Sequence, residues 1–98
     1  MDRSEIISRL RENADAIRGL GATSLHLFGS VARGDSTEES DIDLFVDYDP
    51  STRFSLLDLV GIQQFLQETL ASEIDVTTRD SLHPMLRDEI QRDTIRVF

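Results

Sequence analysis

The chain has 98 residues, 39% of them hydrophobic and 30% charged, a composition that fits one globular domain and not a disordered segment. Its 19 acidic and 10 basic residues leave a net charge of −9, which argues against a surface that holds a nucleic-acid backbone, since that requires clustered cations. With no cysteine there is neither a disulfide framework nor a thiolate metal site, and no apolar run approaches the roughly 20 residues of a membrane span. The N-terminus opens on a polar amphipathic stretch rather than a signal peptide, so cytoplasmic residence is expected. All the cationic side chains are Arg and none is Lys, a usage best explained by genomic base composition.

Residues 2–18 are predicted to form a helix. Asp2 caps it with Glu5 three positions on, and Ile6, Leu10, Ala14 and Ile17 recur at helical spacing. Gly19 and Gly21 end it. Thr23 to Phe28 reads as a strand, with His26 on the opposite face from Leu25 and Leu27. No cysteine or second histidine lies near His26, so a structural role is expected for it.

Gly29-Ser30 follows directly. Gly29 ends the strand with no side chain in the way, Ser30 offers a hydroxyl, and the next residues can begin a short helix. Backbone N–H groups at such a strand-to-helix turn suit an anion, so phosphates can lie against it. Arg33-Gly34-Asp35 places a guanidinium near phosphate or near carboxylates, or else forms an Arg33–Asp ion pair that stiffens the loop; the residues leave both open. Ser36 to Ser40 is a polar loop.

The next strand alternates. Ile42, Leu44 and Val46 fall on one face, and Asp41, Asp43 and Asp47 on the other. The Cα atoms of Asp41 and Asp43 are then about 6.5–7 Å apart at the usual strand rise. Two converging carboxylates repel unless a cation lies between them. Oxygen ligands of this kind suit Mg²⁺, which completes its shell with water and phosphate oxygens. Tyr48-Asp49-Pro50 ends the strand.

Residues 53–70 are predicted to be the longest helix. Leu56, Leu59, Val60, Ile62, Leu66 and Leu70 make one broad apolar stripe for the sheet. Phe54, Leu57, Gly61 and Phe65 make a second, roughly opposite, to be covered by a neighbouring helix of the same domain or by a partner. Glu73 to Thr77 reads as a third strand with Ile74 and Val76 inward. Asp75 then points the same way as Asp41 and Asp43, either to complete a two-metal site or as a surface residue of an edge strand. Ser81 is placed to cap a last helix with Pro84 in its first turn and Leu82, Leu86 and Ile90 packing it down. Thr94 to Phe98 adds a short terminal strand.

Gly29-Ser30, ten intervening residues, then Asp41-Ile42-Asp43 resembles the G-S-x10-D-x-D signature of the polymerase-beta-like nucleotidyltransferases. The fuller string G-S-x-A-R-G-D…S-D-I-D-L is similar to the minimal nucleotidyltransferase (MNT) branch, whose members are about as long as this whole chain. The resemblance implies an α/β fold (α+β in some schemes), a small mixed sheet with helices packed against it, and a single domain over residues 1–98. It implies transfer of a nucleotide from a nucleoside triphosphate with loss of pyrophosphate. Gly29, Ser30 and Arg33 would meet the nucleotide, and Asp41, Asp43 and Asp75 would be catalytic and ligate two Mg²⁺ ions. Asp75 is the position matching the family's third acidic residue.

The resemblance also implies an acceptor. Minimal proteins of this branch are commonly antitoxins paired with a HEPN-domain ribonuclease toxin, and they resemble enzymes that move AMP from ATP onto a tyrosine of that toxin. The Phe54, Leu57 and Phe65 stripe and the acidity would suit a helical partner with a basic face. Two alternatives remain beside it: a non-catalytic antitoxin that masks the toxin, and a transferase acting on a small hydroxylated molecule. The acidity makes a nucleic-acid polymerase the poorer expectation.

Overall fold

The computed structural model describes residues 2–34, 41–82, 90 and 92–98. The first predicted helix is present but divided into α1, Arg3–Glu12, and α2, Ala14–Gly19. Asp2 caps α1 by accepting the Glu5 N–H at 2.8 Å. The division falls at Asn13, whose side-chain amide donates to the Arg9 carbonyl at 2.8 Å. A short polar side chain that bonds its own backbone competes with the helix ladder, which the apolar spacing alone does not reveal. Ile6, Leu10 and Ile17 are buried as expected.

Four strands form one mixed sheet in the order β3-β2-β1-β4. β1, Ala22–Phe28, runs antiparallel to β2, Ile42–Tyr48. The short helix α3, Gly29–Arg33, follows β1 directly, and Arg3 ties α1 to it by donating to the Ala32 carbonyl at 2.9 Å. β3, Ile74–Thr78, is parallel to β2, and the crossover between them is α4, Leu56–Leu70. β4 is only Ile95–Arg96, shorter than the terminal strand expected, and pairs antiparallel with β1. This is the α/β mixed sheet that the sequence led us to expect.

Alternation decides the faces. Leu25, Leu27, Ile42, Leu44, Val46, Ile74 and Val76 are buried in the core with the helices. The other face carries Ser24, His26, Asp43, Phe45, Asp47 and Asp75. It is not purely polar: Phe45 is buried, stacked on His26 with ring centroids 4.6 Å apart.

α4 begins three residues later than expected, because Ser55 and Asp58 close a capping box, the Ser55 N–H donating to the Asp58 carboxylate at 2.8 Å. Its buried positions are Ile62, Leu66 and Leu70, with Leu59 and Phe65 packed partly against the core. Here the predicted stripes need correcting. Leu56 and Val60, assigned to the sheet, are 74% and 43% exposed, whereas Phe54 and Phe65, expected against a neighbouring helix or a partner, pack partly on the chain's own core. Phe54 stacks on Tyr48 with ring centroids 4.8 Å apart and fills the space beside Gly21. Leu57 is 82% exposed, as its place opposite the buried stripe requires. The physical reason is angular: Leu59, Ile62, Leu66 and Leu70 make one narrow buried face, and Val60, about 100° round the helix from Leu59, falls outside it.

α4 also covers the outer edge of β3. Gln67 donates to the Ile74 carbonyl at 3.2 Å, and the Val76 N–H donates to the Gln63 side chain at 3.3 Å. Backbone groups that an edge strand would leave to solvent are thereby satisfied. Ser81 lies in a 3-10 turn, Arg79–Ser81, and the helix expected after it falls mostly on residues outside those described, as does the Ser36 to Ser40 loop. Among the described residues no helix is long and apolar enough to cross a membrane.

Candidate active site

The predicted residues meet where β1 ends and β2 begins. Phe28, the last residue of β1, is paired with Asp43 of β2, and Gly29 starts α3 beside it. Gly29 has φ +77, a left-handed conformation that side chains resist. A Cβ there would also collide with the Asp43 carboxylate, lying 3.2 Å from its Cγ. The glycine is therefore needed for a nearer reason than phosphate approach. It lets the Asp43 side chain lie against the backbone of the turn.

On the other side of β2, Asp43 stands directly across from Asp75 of β3. Asp43 is half-buried, while Asp75 and Asp41 are exposed. Burial pushes the Asp43 carboxyl above its usual range, the charges of Asp75 and Asp41 push it further, and Arg33 opposes them. Arg33, on the last turn of α3, brings its charge to bear on Asp43, and the Asp35 of the alternative loop ion pair lies outside the described residues. Ser30 is the second residue of α3, half-buried beside Gly29.

Among the described residues no three acidic or histidine side chains are gathered closely enough to hold a metal as they stand. The donor chemistry nonetheless fits a hard divalent cation. The set is oxygen-only, and Asp43 is destabilised as an anion by two like charges, a repulsion that a cation would relieve.

The same face carries a second charged group that the sequence reading did not single out. Arg79 donates from Nε to Asp47 Oδ1 at 2.7 Å and from Nη2 to Asp47 Oδ2 at 2.9 Å. The Ser24 hydroxyl donates to Asp47 Oδ2 at 2.7 Å and lies 3.0 Å from His26 Nε2. The Arg79 hydrogen bonds above all, with Ser24 helping, hold the Asp47 carboxyl down at about 2. Burial and Arg79 lower the His26 pKa, Asp47 only partly offsetting them, so His26 is a neutral member of a packed network, consistent with its expected structural role. The available signal was the alternation itself, which puts Ser24, His26 and Asp47 on the carboxylate face.

An open hollow of about 610 Å³ lies at the far end of the sheet, lined by Leu20, Gly21, Asp49, Arg53, Phe54 and Asp58 among others. It holds none of the predicted catalytic or nucleotide-contacting residues.

The chain is similar to known proteins over most of its length. The family model described as a nucleotidyltransferase domain matches residues 4–97. The Methanocaldococcus jannaschii protein MJ0435, provisionally assigned as a protein adenylyltransferase, is 42% identical over 78 residues, covering 80% of this chain and 82% of that protein. A solved structure provisionally assigned as a minimal nucleotidyltransferase is 32% identical with a TM-score of 0.82, covering 97% of this chain and 95% of its own. A chain in the solved complex of tri-AMPylated Shewanella oneidensis HEPN toxin with MNT antitoxin is 21% identical with a TM-score of 0.60, covering 98% of this chain and 68% of that one. At that identity the last likeness is one of fold.

Proposed function

The chain belongs to the nucleotidyltransferase domain family and is a nucleotidyltransferase; from that premise we propose that it is an antitoxin that transfers AMP from ATP to a tyrosine of a partner HEPN-domain ribonuclease toxin. The observation that carries the site assignment is the placing of Asp43, seated on the bare Cα of Gly29 and facing Asp75 across the β2–β3 pair. The adenylyl donor and the toxin partner are supported by what similar proteins are named as doing.

Asp41, Asp43 and Asp75 would hold two Mg²⁺ ions, which when bound neutralise the phosphates and stabilise the attacking and leaving oxygens. The chain's own residues position the reactants. Gly29 and Ser30 present backbone N–H groups and a hydroxyl to the β- and γ-phosphates, and Arg33 adds positive charge beside them. Asp75, exposed on β3, is placed to take the proton of the tyrosine hydroxyl as its oxygen attacks the α-phosphorus. The bond to the bridging oxygen breaks, and pyrophosphate leaves. Positioning and charge neutralisation dominate chemistry at phosphorus, so one domain over residues 1–98 suffices.

The partner would dock at Leu57, joined by Leu56 and Val60, with Phe54 and Phe65 contributing only the surface they do not spend on the core. ATP as donor and a ribonuclease as target place the reaction in the cytoplasm.

The deciding experiment incubates the partner HEPN protein with this chain, ATP and Mg²⁺ and measures its intact mass. An increase of about one AMP mass, or multiples of it, on a tyrosine is expected from displacement at phosphorus. Asp41→Asn/Asp43→Asn should still bind the toxin yet fail to neutralise it at sub-stoichiometric amounts, where a catalyst turns over and a mask does not. Unchanged toxin mass, with that variant protecting as well as wild type, would establish masking instead.

A further inference from the structure

The Arg79–Asp47 pair lies outside the proposed chemistry, and its position along the sheet suggests its use. The register of β2 against β3 runs from Ile42↔Ile74 through Asp43↔Asp75 to Val46↔Thr78. Near its start two carboxylates face each other. Just past its end, Arg79, the first residue after β3, grips Asp47 of β2 with two parallel bonds of 2.7 and 2.9 Å. The guanidinium also lies over Phe45, 4.9 Å from the ring centroid, and Nη2 is 3.3 Å from His26 Nε2. The next residue, Asp80, accepts the Tyr48 hydroxyl at 2.9 Å. Two consecutive residues leaving β3 thus hold the last two of β2.

β3 has five residues and stands at the edge of the sheet, with β2 as its strand neighbour and the Gln63 and Gln67 side chains of α4 on its outer side. None of these bonds opposes the Asp43–Asp75 repulsion directly. Like charges directly across a strand pair push it away. A slip of one residue would turn Asp75 to the opposite face.

We propose that Arg79 and Asp47 are a positioning pair: their two-bond fork at the exit of β3 keeps that strand in register, so that Asp75 stands opposite Asp43 despite their repulsion. The functional part rests on the reading of Asp75 as the third carboxylate of the transfer site. Neither member touches the reacting atoms. Two parallel bonds require a planar guanidinium, so Lys at this position supplies the charge without the geometry.

The test is amide hydrogen exchange on the full chain without nucleotide, comparing wild type with Arg79→Ala, Arg79→Lys, Asp47→Asn and Arg79→Ala/Asp75→Asn. Losing the fork should speed exchange across β3 by about tenfold while β1 changes little, because an edge strand opens locally. Arg79→Lys should fall between, and keeps the test available should Arg79→Ala fail to fold. Adding Asp75→Asn should restore much of the protection, since it removes the repulsion that the fork opposes. Mg²⁺-dependent binding of a non-hydrolysable ATP analogue should weaken by the factor by which the closed, binding-competent fraction of β3 falls, more in Arg79→Ala than in Arg79→Lys. Unchanged exchange in β3, exchange raised equally in β1 and β3, or no restoration by Asp75→Asn would each overturn the proposal. If exchange follows the prediction while wild type binds no metal–nucleotide, the hold on β3 stands and the metal assignment fails.

Discussion

Asp43 and Asp47 lie on one strand and one face, yet their surroundings drive their carboxyls in opposite directions. Burial, Asp75 and Asp41 raise Asp43, whereas the Arg79 fork and Ser24 hold Asp47 down at about 2. The fold bonds a guanidinium to the aspartate that ties strands together, and sets the other across from like charges that Arg33 only partly offsets. A carboxylate raised by burial and by like charges is the kind of group that a cation arriving from outside would relieve. Period-2 alternation makes these two aspartates look equivalent; cross-strand neighbours separate them.

The largest way to break the comparison is at the repelled end. Asp41→Asn/Asp43→Asn should lower AMP transfer by at least about 10²-fold, as loss of a preorganised electrostatic stabiliser does. Asp43→Asn should nevertheless melt higher than wild type without metal at neutral pH. The sign follows from linkage: a carboxyl whose folded pKa is raised favours folding most below its unfolded pKa, and that contribution is lost as pH rises through the folded value. Thermal melts with and without Mg²⁺ check both halves, and a metal-free midpoint well below wild type would contradict the repulsion.

Next comes the seat of Asp43. Gly29→Val should cost about 1–3 kcal/mol of backbone strain and also displace the carboxylate, with Gly29→Ala milder in the same direction. Chemical denaturation gives the first effect, and metal–nucleotide titration the second. Unaltered binding by Gly29→Val would show that Asp43 does not need this contact.

At the paired end the expected effect is smaller and opposite in pH. Asp47 has a depressed folded pKa, so its contribution is present above its unfolded value and lost as pH falls through about 2. The pair is partly solvated, which reduces its worth to on the order of 1 kcal/mol. Asp47→Asn should therefore flatten the acid limb of the stability profile below pH of about 4, where a carboxyl of ordinary pKa begins to protonate. Smallest of all, Ser30→Ala should slow transfer by up to about tenfold, the worth of one hydrogen bond, and leave the melting point unchanged.

The sequence reveals the elements through periodicity and the turn through Gly-Ser and its spacing to Asp41 and Asp43. It also anticipates that Asp75 shares their face, because Ile74 and Val76 point inward. It does not reveal that Asp43 rests on Gly29, since that contact joins residues fourteen apart across a strand pair. Arg79 is likewise silent in sequence: it follows a strand and becomes meaningful only when the β2–β3 register brings Asp47 to it. Asn13 breaks a helix by a local bond that apolar spacing ignores. Leu56 and Val60 mislead because the buried face of α4 is narrower than a broad apolar stripe implies, and they lie at its margin and beyond.

The most direct measurement of the central claim is calorimetric titration of the chain with a non-hydrolysable ATP analogue, in Mg²⁺ and in its absence, for wild type and Asp41→Asn/Asp43→Asn. A carboxylate-held metal site requires that wild type bind the analogue only with Mg²⁺ and that the double variant lose this coupling while keeping a wild-type fold. Equal binding by the two proteins, or binding indifferent to Mg²⁺, would contradict it.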